Sequence, residues 1–160
     1  ASAEVRRIHT DLRPSLLDDF GIIATISWFC REFEKLYSGL SIEKRISVEE
    51  KNVPENLKIV IFRILQEALN NVAKYGESDL VRVTLDGTDD QMELVIEDNG
   101  QGFDLDQLRS AKVPEGGFGL TSMKERAELS GGFFSIKSAR GEGTTVRAWW
   151  KHPIALQEQV

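Results

Sequence analysis

The chain has 160 residues, of which 41% are hydrophobic and 29% are charged, a composition that predicts one soluble globular domain. Its formal net charge of -6 argues against nucleic acid or an anionic membrane surface as the main partner. One cysteine and two histidines exclude a disulfide framework and a zinc site, and the sequence holds neither an apolar run of about 20 residues nor a signal-peptide pattern.

Two helices are predicted at the start of the chain. Apolar residues recur at helical spacing in residues 1–13 until Pro14 interrupts the pattern, which predicts the end of a longer helix. A second helix is predicted over residues 16–37, and Ser38 and Gly39 stop it. Its apolar face would consist of Ile22, Ile26, Phe29, Phe33 and Leu36.

A strand and a third helix are predicted next. Ile42, Ile46 and Val48 alternate with polar residues, as in a strand. From Pro54 to Tyr75 the apolar residues again recur at helical spacing. The buried face of this third helix would consist of Leu57, Ile61, Ile64, Leu65, Ala68 and Val72.

The third helix also carries a polar stripe beside its apolar face. Glu67, Asn71 and Lys74 are spaced i, i+4 and i+7, which places them on one side of the helix. A stripe in this position would line the rim of a groove. Taken alone, such a stripe is more often a solvated face with a Glu-Lys pairing, so the rest of the sequence has to decide between the two.

The second half of the chain predicts four strands. Residues 80–85 and 92–98 alternate with period two and are separated by the sequence DGTDDQ, which indicates an antiparallel hairpin. Residues 134–136 and 146–150 are predicted as two more strands, joined by the sequence SARGEGTT. In the last strand, one of two adjacent tryptophans is expected in the core and the other on the exposed face.

A loop and a helix lie between these two pairs of strands. Residues 99–119 contain five glycines and no lasting periodicity, which predicts a loop. Residues 120–130 predict a helix that begins with a capping box from Ser122 to Glu125 and stops at Gly131. Helices combined with a mixed, mostly antiparallel sheet indicate an α/β (α+β) fold, a two-layer sandwich.

Glycines mark three of the predicted loops. Asp98 ends a strand and is followed by Gly100 and Gly102; a turn needs one such glycine, and the second indicates close approach of the backbone to another group. Gly117 and Gly119 precede a helix, whose free amide groups favour a phosphate, although a surface loop also explains them. The third segment, GEGTT, alone predicts a turn. The Walker and Rossmann glycine patterns do not occur, which excludes those two nucleotide sites.

Taken in chain order, QEALNNVAKYG, EDNGQGF, GGFGL and GEGTT resemble the four sequence boxes of the Bergerat-type ATP-binding fold. Gyrase, heat-shock chaperones, mismatch-repair ATPases and histidine kinases share this fold. The resemblance covers residues 16–150. Two further stretches, DLRPSLLDDFGI and GFGLTSMKERAELSGG, resemble sensor histidine kinases of the subclass that is paired with LuxR-type response regulators.

The resemblance implies a role for each residue at the base and metal ends of an ATP pocket. Asp98 would accept a hydrogen bond from the exocyclic amino group of adenine, because a carboxylate only accepts. Gly100 and Gly102 would let the backbone lie against the nucleotide. Asn71 would be the one protein ligand to Mg²⁺, which otherwise binds water and phosphate oxygens.

Further residues would act at the phosphates and in the reaction. Lys74 would offset phosphate charge; Tyr75 departs from the family pattern, which often has His there. Gly117, Gly119 and Leu120 would form the end of a lid over the phosphates. Gly143 and Thr144 would hold the base, the latter through its hydroxyl. The catalytic residue would be Glu67, which would orient or deprotonate an acceptor imidazole.

The resemblance also implies a domain organisation. Residues 1–15 would be the end of the second helix of a dimerisation and phosphoacceptor bundle, residues 16–152 the ATP-binding catalytic domain and residues 153–160 a C-terminal tail. His9 is interpreted as a surface residue and His152 as part of the tail. The chain would therefore be a protein-histidine kinase fragment without its phosphoacceptor histidine.

The expected partners are those of a two-component system. The domain would donate the γ-phosphoryl group of ATP to a histidine on the bundle, for onward transfer to a response regulator, with no role for nucleic acid. The fragment is expected to be a cytoplasmic monomer without membrane contact, whereas the full-length kinase would be a homodimer that can be membrane-anchored.

Two alternatives stay open at this point. The first is an anti-sigma-type serine kinase on the same fold, against which the DLRPSLLDDFGI segment and the preceding broken helix count. The second is a non-catalytic nucleotide-sensing docking module, against which the intact residues of all four boxes count. The sequence does not indicate the stimulus, the sensor domain or the cognate regulator.

Overall fold

A computed structural model describes residues 13–106 and 119–151 of the chain. Its main helices and strands, in chain order, are α1 (Arg13–Leu36), β1 (Ser41–Ile46), α2 (Glu55–Asn71), β2 (Leu80–Gly87), β3 (Gln91–Asp98), α3 (Leu120–Leu129), β4 (Phe133–Ser138) and β5 (Thr144–Lys151). His9, His152 and most of the predicted bundle and tail segments lie outside the described residues, so the domain limits stay predictions.

The five strands form one mixed sheet in the order β1-β2-β3-β5-β4. Only β1 and β2 run parallel; the other neighbours are antiparallel, including the predicted hairpin of β2 and β3. Helices pack against one face of this sheet, where alternate strand residues are buried. The predicted two-layer sandwich with a mostly antiparallel sheet is therefore confirmed.

Apolar side chains between the sheet and the helices form one continuous core. All six residues of the predicted apolar face of α2 are buried. Among the two tryptophans of β5, Trp150 is 3% exposed and belongs to the core. Trp149 lies on the outer face, where its ring stacks on Phe133 at 5.4 Å between centroids. None of the helices within the described ranges is long and apolar enough to cross a membrane.

Helix α1 differs from the prediction in where it is interrupted. Pro14 lies in its first turn, where the missing amide proton costs no helical hydrogen bond. The break comes at Gly21, whose φ of 87° and ψ of 176° are not helical. A Cβ at Gly21 would overlap the carboxylate of Glu50, which lies directly against this backbone.

Glu50 caps the part of α1 that follows the break. Its two carboxylate oxygens accept the amides of Ile22 and Ile23, each at 2.9 Å, and the ammonium of Lys58 lies 2.9 Å from one of them. Burial alone would raise the pKa of the Glu50 carboxyl. The amide of Ile23, the Lys58 ammonium and the amide of Ile22 together outweigh burial and lower that pKa below its ordinary value of 4.5.

Two helix ends depart from simple patterns. The α-helical part of α2 ends at Asn71, and a π-helical turn from Val72 to Gly76 continues it, so the predicted helix has the expected extent but a wider last turn. The predicted capping box of α3 is wrong. Gly119 precedes the helix in a left-handed conformation without a side-chain cap, and Ser122 lies inside the helix.

We expect Glu50→Gln to lower the free energy of unfolding by about 1 kcal/mol at pH 7, because two charge-assisted hydrogen bonds become neutral or are lost. Since the folded pKa of Glu50 lies below the unfolded one, its contribution is fully present above about pH 4.5 and disappears as the pH falls through the folded value.

Urea denaturation at several pH values measures this difference. Glu49→Gln is the matched control, because the neighbouring Glu49 side chain is 70% exposed and pairs only with the exposed Lys51 among the described residues. Equal losses for both variants, or a loss for Glu50→Gln that does not shrink in acid, would contradict the capping role.

Candidate functional site

A cleft of about 440 Å³ opens between the end of α2, the start of α3 and the ends of β3, β5 and β4. This volume falls within the range of about 300–1,000 Å³ that small-molecule sites occupy. The residues that line the cleft are Ala68, Asn71, Val72, Tyr75, Ile96, Asp98, Gly102, Phe103, Leu120, Ile136, Thr144 and Val146.

The walls of the cleft are apolar and its few polar groups converge. Aliphatic side chains from α2, β3 and β5 form the floor because they belong to the same rows that fill the core. Asn71, Asp98 and Thr144 supply polar side-chain atoms to this space. A mostly apolar cleft with a small set of placed polar groups is typical of a site for a flat, heteroaromatic ligand.

Asp98 is the charged group at the base of the cleft. It is the last residue of β3 and lies opposite Thr144 of β5 in the sheet register. Desolvation by burial raises the pKa of the Asp98 carboxyl, while hydrogen bonds from the amides of Gly100, at 2.9 Å, and of Thr144 oppose this rise. These two bonds leave part of the acceptor capacity of the carboxylate for a ligand.

The polar stripe of α2 divides between the cleft and the surface. Asn71 lines the cleft, whereas Lys74, in the π-helical turn, is exposed and does not line it. Tyr75, which the sequence gave no role, lines the cleft and is 42% exposed. The side-chain amide of Gln101 donates to the backbone carbonyl of Tyr75 at 2.5 Å, which ties the loop after β3 to this turn.

Glu67 lies one turn before Asn71 on α2, against the first residues of α3. A Cβ at Gly119 would overlap the Glu67 carboxylate, so the side chain of Glu67 and the backbone of Gly119 are in direct contact. Gly119 has a φ of 58°, and no side chain caps the helix that follows. An acceptor group is thus placed beside the free amides and partial positive charge of a helix start.

Two of the predicted glycines pack loops against each other. Gly102 has a φ of 65°, and a Cβ there would overlap the carbonyl of Ala139 in the β4–β5 turn. Gly143 has a φ of 74°, and a Cβ there would overlap the carbonyl of Asp98. Side chains at either position would push the two loops apart at the base of the cleft.

The structure therefore brings together most of the predicted site. Asn71, Asp98, Gly102, Leu120 and Thr144 line the cleft directly. Gly100, Gly143, Gly119 and Glu67 contact its lining residues or its rim. Lys74 lies outside the lining, and Gly117 lies outside the described residues.

Sequence reasoning missed the apolar walls and two residues of the loops. Phe103 lines the cleft directly after Gly102, and Ser138 contacts both Phe103 and Thr144. The walls, Ile96, Ile136 and Val146, follow from strand alternation once the register is known. Ser138 carries no local signal of a site, because its partners come from two other segments of the chain.

A metal would depend on few protein ligands here. Among the residues that the structure describes, no three His, Cys, Asp or Glu side chains gather where they would hold an ion. Asn71 is nevertheless a suitable oxygen ligand in the cleft. Such a donor set fits Mg²⁺ held by one amide oxygen, water and phosphate oxygens, and does not fit a tightly caged metal.

Comparison with known proteins places the chain among ATPases. The family model for histidine kinase-, DNA gyrase B-, and HSP90-like ATPases matches residues 56–154. A signal transduction histidine-protein kinase/phosphatase DegS of Brevibacillus brevis is 37% identical over 144 residues, and an oxygen sensor histidine kinase NreB of Staphylococcus carnosus is 35% identical over 144 residues. The matches cover 90% and 89% of this chain but only 36% and 40% of those relatives.

Solved structures show the same fold. The histidine kinase domain of a blue-light activated histidine kinase from Erythrobacter litoralis EL346 superposes with a TM-score of 0.64 at 18% identity, over 85% of this chain and 62% of that one. A mycobacterial sensor histidine kinase, MprB, superposes with a TM-score of 0.57 at 22% identity, over 79% and 91%.

We expect Gly119→Ala to destabilise the chain more than Gly131→Ala does. Both glycines have positive φ, so both variants carry about 1–2 kcal/mol of backbone strain, but nothing lies within 4 Å of a Cβ at Gly131. The overlap with Glu67 adds a further 1–3 kcal/mol, roughly the cost of overpacking, at Gly119.

Urea denaturation of both variants, alone and combined with Glu67→Ala, measures this excess. It should disappear in the Glu67→Ala background, because the overlapping carboxylate is then absent. An excess that persists without the Glu67 side chain would show that the two residues are not in contact.

Proposed function

This chain belongs to the family of histidine kinase-, DNA gyrase B-, and HSP90-like ATPases, and we propose that it is the ATP-binding catalytic domain of a two-component sensor histidine kinase. It donates the γ-phosphoryl group of ATP to a histidine on a separate helical bundle. The names of the relatives, which cover most of this chain, support the histidine kinase branch of the family. The observation that carries the proposal is the half-buried acceptor Asp98 at the base of an apolar cleft.

Base recognition follows from the acceptor character of Asp98. Two amides already donate to its carboxylate, and the remaining lone pairs accept the exocyclic amino group of adenine. The carbonyl that guanine carries at the same ring position would face a carboxylate and be repelled. The apolar walls, among them Ile96 and Val146, cover the faces of the base.

The phosphates lie toward the end of α2 and the start of α3. Asn71 holds Mg²⁺ through its amide oxygen, and the ion neutralises phosphate charge when it is bound. Lys74 is exposed nearby and lowers the local negative potential. The free amides at the start of α3, after Gly119, face negative charge, and Gly117 belongs to the lid that leads to them.

Glu67 is the residue that acts on the acceptor. Its carboxylate accepts the imidazole proton while the ring nitrogen forms the P–N bond and the bond from the γ-phosphorus to the leaving ADP oxygen breaks. Its contact with Gly119 couples this base to the start of α3. The acceptor histidine therefore enters between α2 and the lid.

The remaining parts of the system belong to the same proposal. The bundle forms the dimer of the full-length kinase, and a response regulator of the LuxR-associated type receives the phosphoryl group from it. The domain works in the cytoplasm. Loss of Asn71 or of Mg²⁺ acts at the phosphates and leaves base selection by Asp98 in place.

Titration calorimetry with ATP and GTP, each with and without Mg²⁺, tests the pocket. We expect this chain to bind ATP, with help from Mg²⁺, and Asp98→Asn to weaken ATP binding about ten- to hundredfold, since a buried acceptor is replaced by a competing donor. Glu97→Gln is the matched control: it removes one negative charge from the adjacent residue, whose side chain lies on the other face and is 45% exposed. An Asp98→Asn chain that binds Mg-ATP like the unchanged one would remove Asp98 from the site.

A second experiment addresses Glu67. We expect Glu67→Gln to keep its affinity for ATP within about twofold and to slow phosphoryl transfer to an added acceptor bundle about 10²- to 10⁴-fold, the usual contribution of a general base. Transfer of labelled phosphate from ATP to the bundle measures the rate. Glu125→Gln, on the exposed face of α3, is the control. An unchanged transfer rate would exclude Glu67 from the reaction.

A further inference from the structure

Three side chains at the base of the cleft lie in one row across three strands. Asp98 of β3 is the register partner of Thr144 of β5, and Thr144 is in turn the partner of Ser138 of β4. Partners in one row point to the same side of the sheet. The row therefore runs from the carboxylate that faces the base, through a hydroxyl that lines the cleft, to a second hydroxyl behind it.

The hydrogen bonds around Ser138 are asymmetric. Its hydroxyl oxygen accepts the backbone amide of Phe103 at 2.9 Å. It lies 2.8 Å from the hydroxyl oxygen of Thr144 and 3.2 Å from the carbonyl of Gly143. A serine hydroxyl has one proton to donate, and the shorter contact is the stronger one. Ser138 therefore donates to Thr144.

This direction decides what Thr144 offers to a ligand. If Ser138 donates to the Thr144 oxygen, the proton of Thr144 is left to point into the cleft beside Asp98. In the opposite direction, Thr144 would donate to Ser138 and present only an acceptor. Among the described residues, no second side chain is recorded within hydrogen-bond distance of the Thr144 hydroxyl.

An acceptor beside a donor matches one purine edge. Adenine presents an amino donor next to the ring acceptor N1, whereas guanine can present two donors, N1–H and its amino group, to a pair of acceptors. Asp98 alone accepts from either purine if the base shifts. The added donor at Thr144 favours adenine and disfavours the shifted guanine.

We propose that Ser138 is a positioning residue for base selection, which acts by fixing the proton of Thr144 so that it is donated to N1 of adenine. The inference rests on the proposed function, since it concerns the same pocket. Ser138 itself is half-buried, does not line the cleft and touches the nucleotide only through Thr144.

A purely structural role for Ser138 predicts a different result. Its bond to the amide of Phe103 also joins β4 to the loop after β3, so removal of the hydroxyl could loosen the wall of the cleft. Such loosening would weaken all adenine nucleotides alike. The ratio of affinities for two nucleotides that differ only at N1 separates the two roles.

The experiment is calorimetric titration with ATP and with 1-deaza-ATP, in which a C–H replaces N1. We expect the unchanged chain to prefer ATP about 3- to 10-fold, the usual range for one neutral hydrogen bond. Ser138→Ala should lower this ratio to about 1 while its affinity for 1-deaza-ATP changes less than twofold. Ser138→Thr, which restores a hydroxyl on a β-branched side chain, should restore the preference.

Ser135→Ala is the matched control, because Ser135 lies on the same strand and its register partner Arg147 is on the outer face of the sheet. Equal weakening of both nucleotides in Ser138→Ala would overturn the positioning role and leave the proposed function intact. So would an unchanged preference for ATP. An unchanged chain that binds neither nucleotide would overturn the proposed function and this inference with it.

Discussion

The register between β3 and β5 is the constraint on which the whole cleft depends. Asp98 faces the cleft because alternate residues of β3 face the helices. The row on that face consists of the buried residues Met92, Leu94 and Ile96. On the other face, Glu93 pairs with Arg147. A slip of one residue would expose the whole buried row and turn Asp98 to solvent, so burial of the core and placement of the acceptor are fixed by the same pairing.

Helix α2 connects this base end with the other parts of the domain. Lys58 in its first turn contacts Glu50 at the break in α1, and Asn71 at its end lines the cleft, about 20 Å away at the usual helical rise. Between these points the helix is clamped by the core; the ring of Phe62, for example, meets Phe29 edge-on at 5.2 Å between centroids. The position of Asn71 relative to Asp98 is thus set by core packing and hardly at all by the loops, which explains how a few polar groups can converge without a rigid loop structure.

The sequence predicted those parts of the molecule that depend on local periodicity. Helix α2, the β2–β3 hairpin and the burial of Trp150 follow from spacing and alternation alone, and the positions of Asn71, Asp98 and Thr144 in the cleft follow from the four boxes. The misses share one physical cause, which is that a distant group supplies what the local sequence lacks. Gly21 interrupts α1 because Glu50, nearly thirty residues later, accepts the amides that the break leaves unpaired.

The start of α3 failed in the same way. A capping box at Ser122 was expected, but the left-handed Gly119 against Glu67 begins the helix instead.

The glycines of the boxes also change meaning once the structure is known. A glycine-rich loop suggests a backbone that approaches a ligand, yet Gly102 and Gly143 are both accounted for by the approach of one loop to another, at Ala139 and Asp98. These glycines are therefore evidence for the fold, whose loops must meet behind the base. Evidence for the ligand comes from groups that the fold itself does not need: a desolvated carboxylate with acceptor capacity to spare, and an amide on the rim of an apolar cleft. Because leaving a buried acceptor underused costs stability, the retention of Asp98 in that place is explained by a donor that arrives with the ligand.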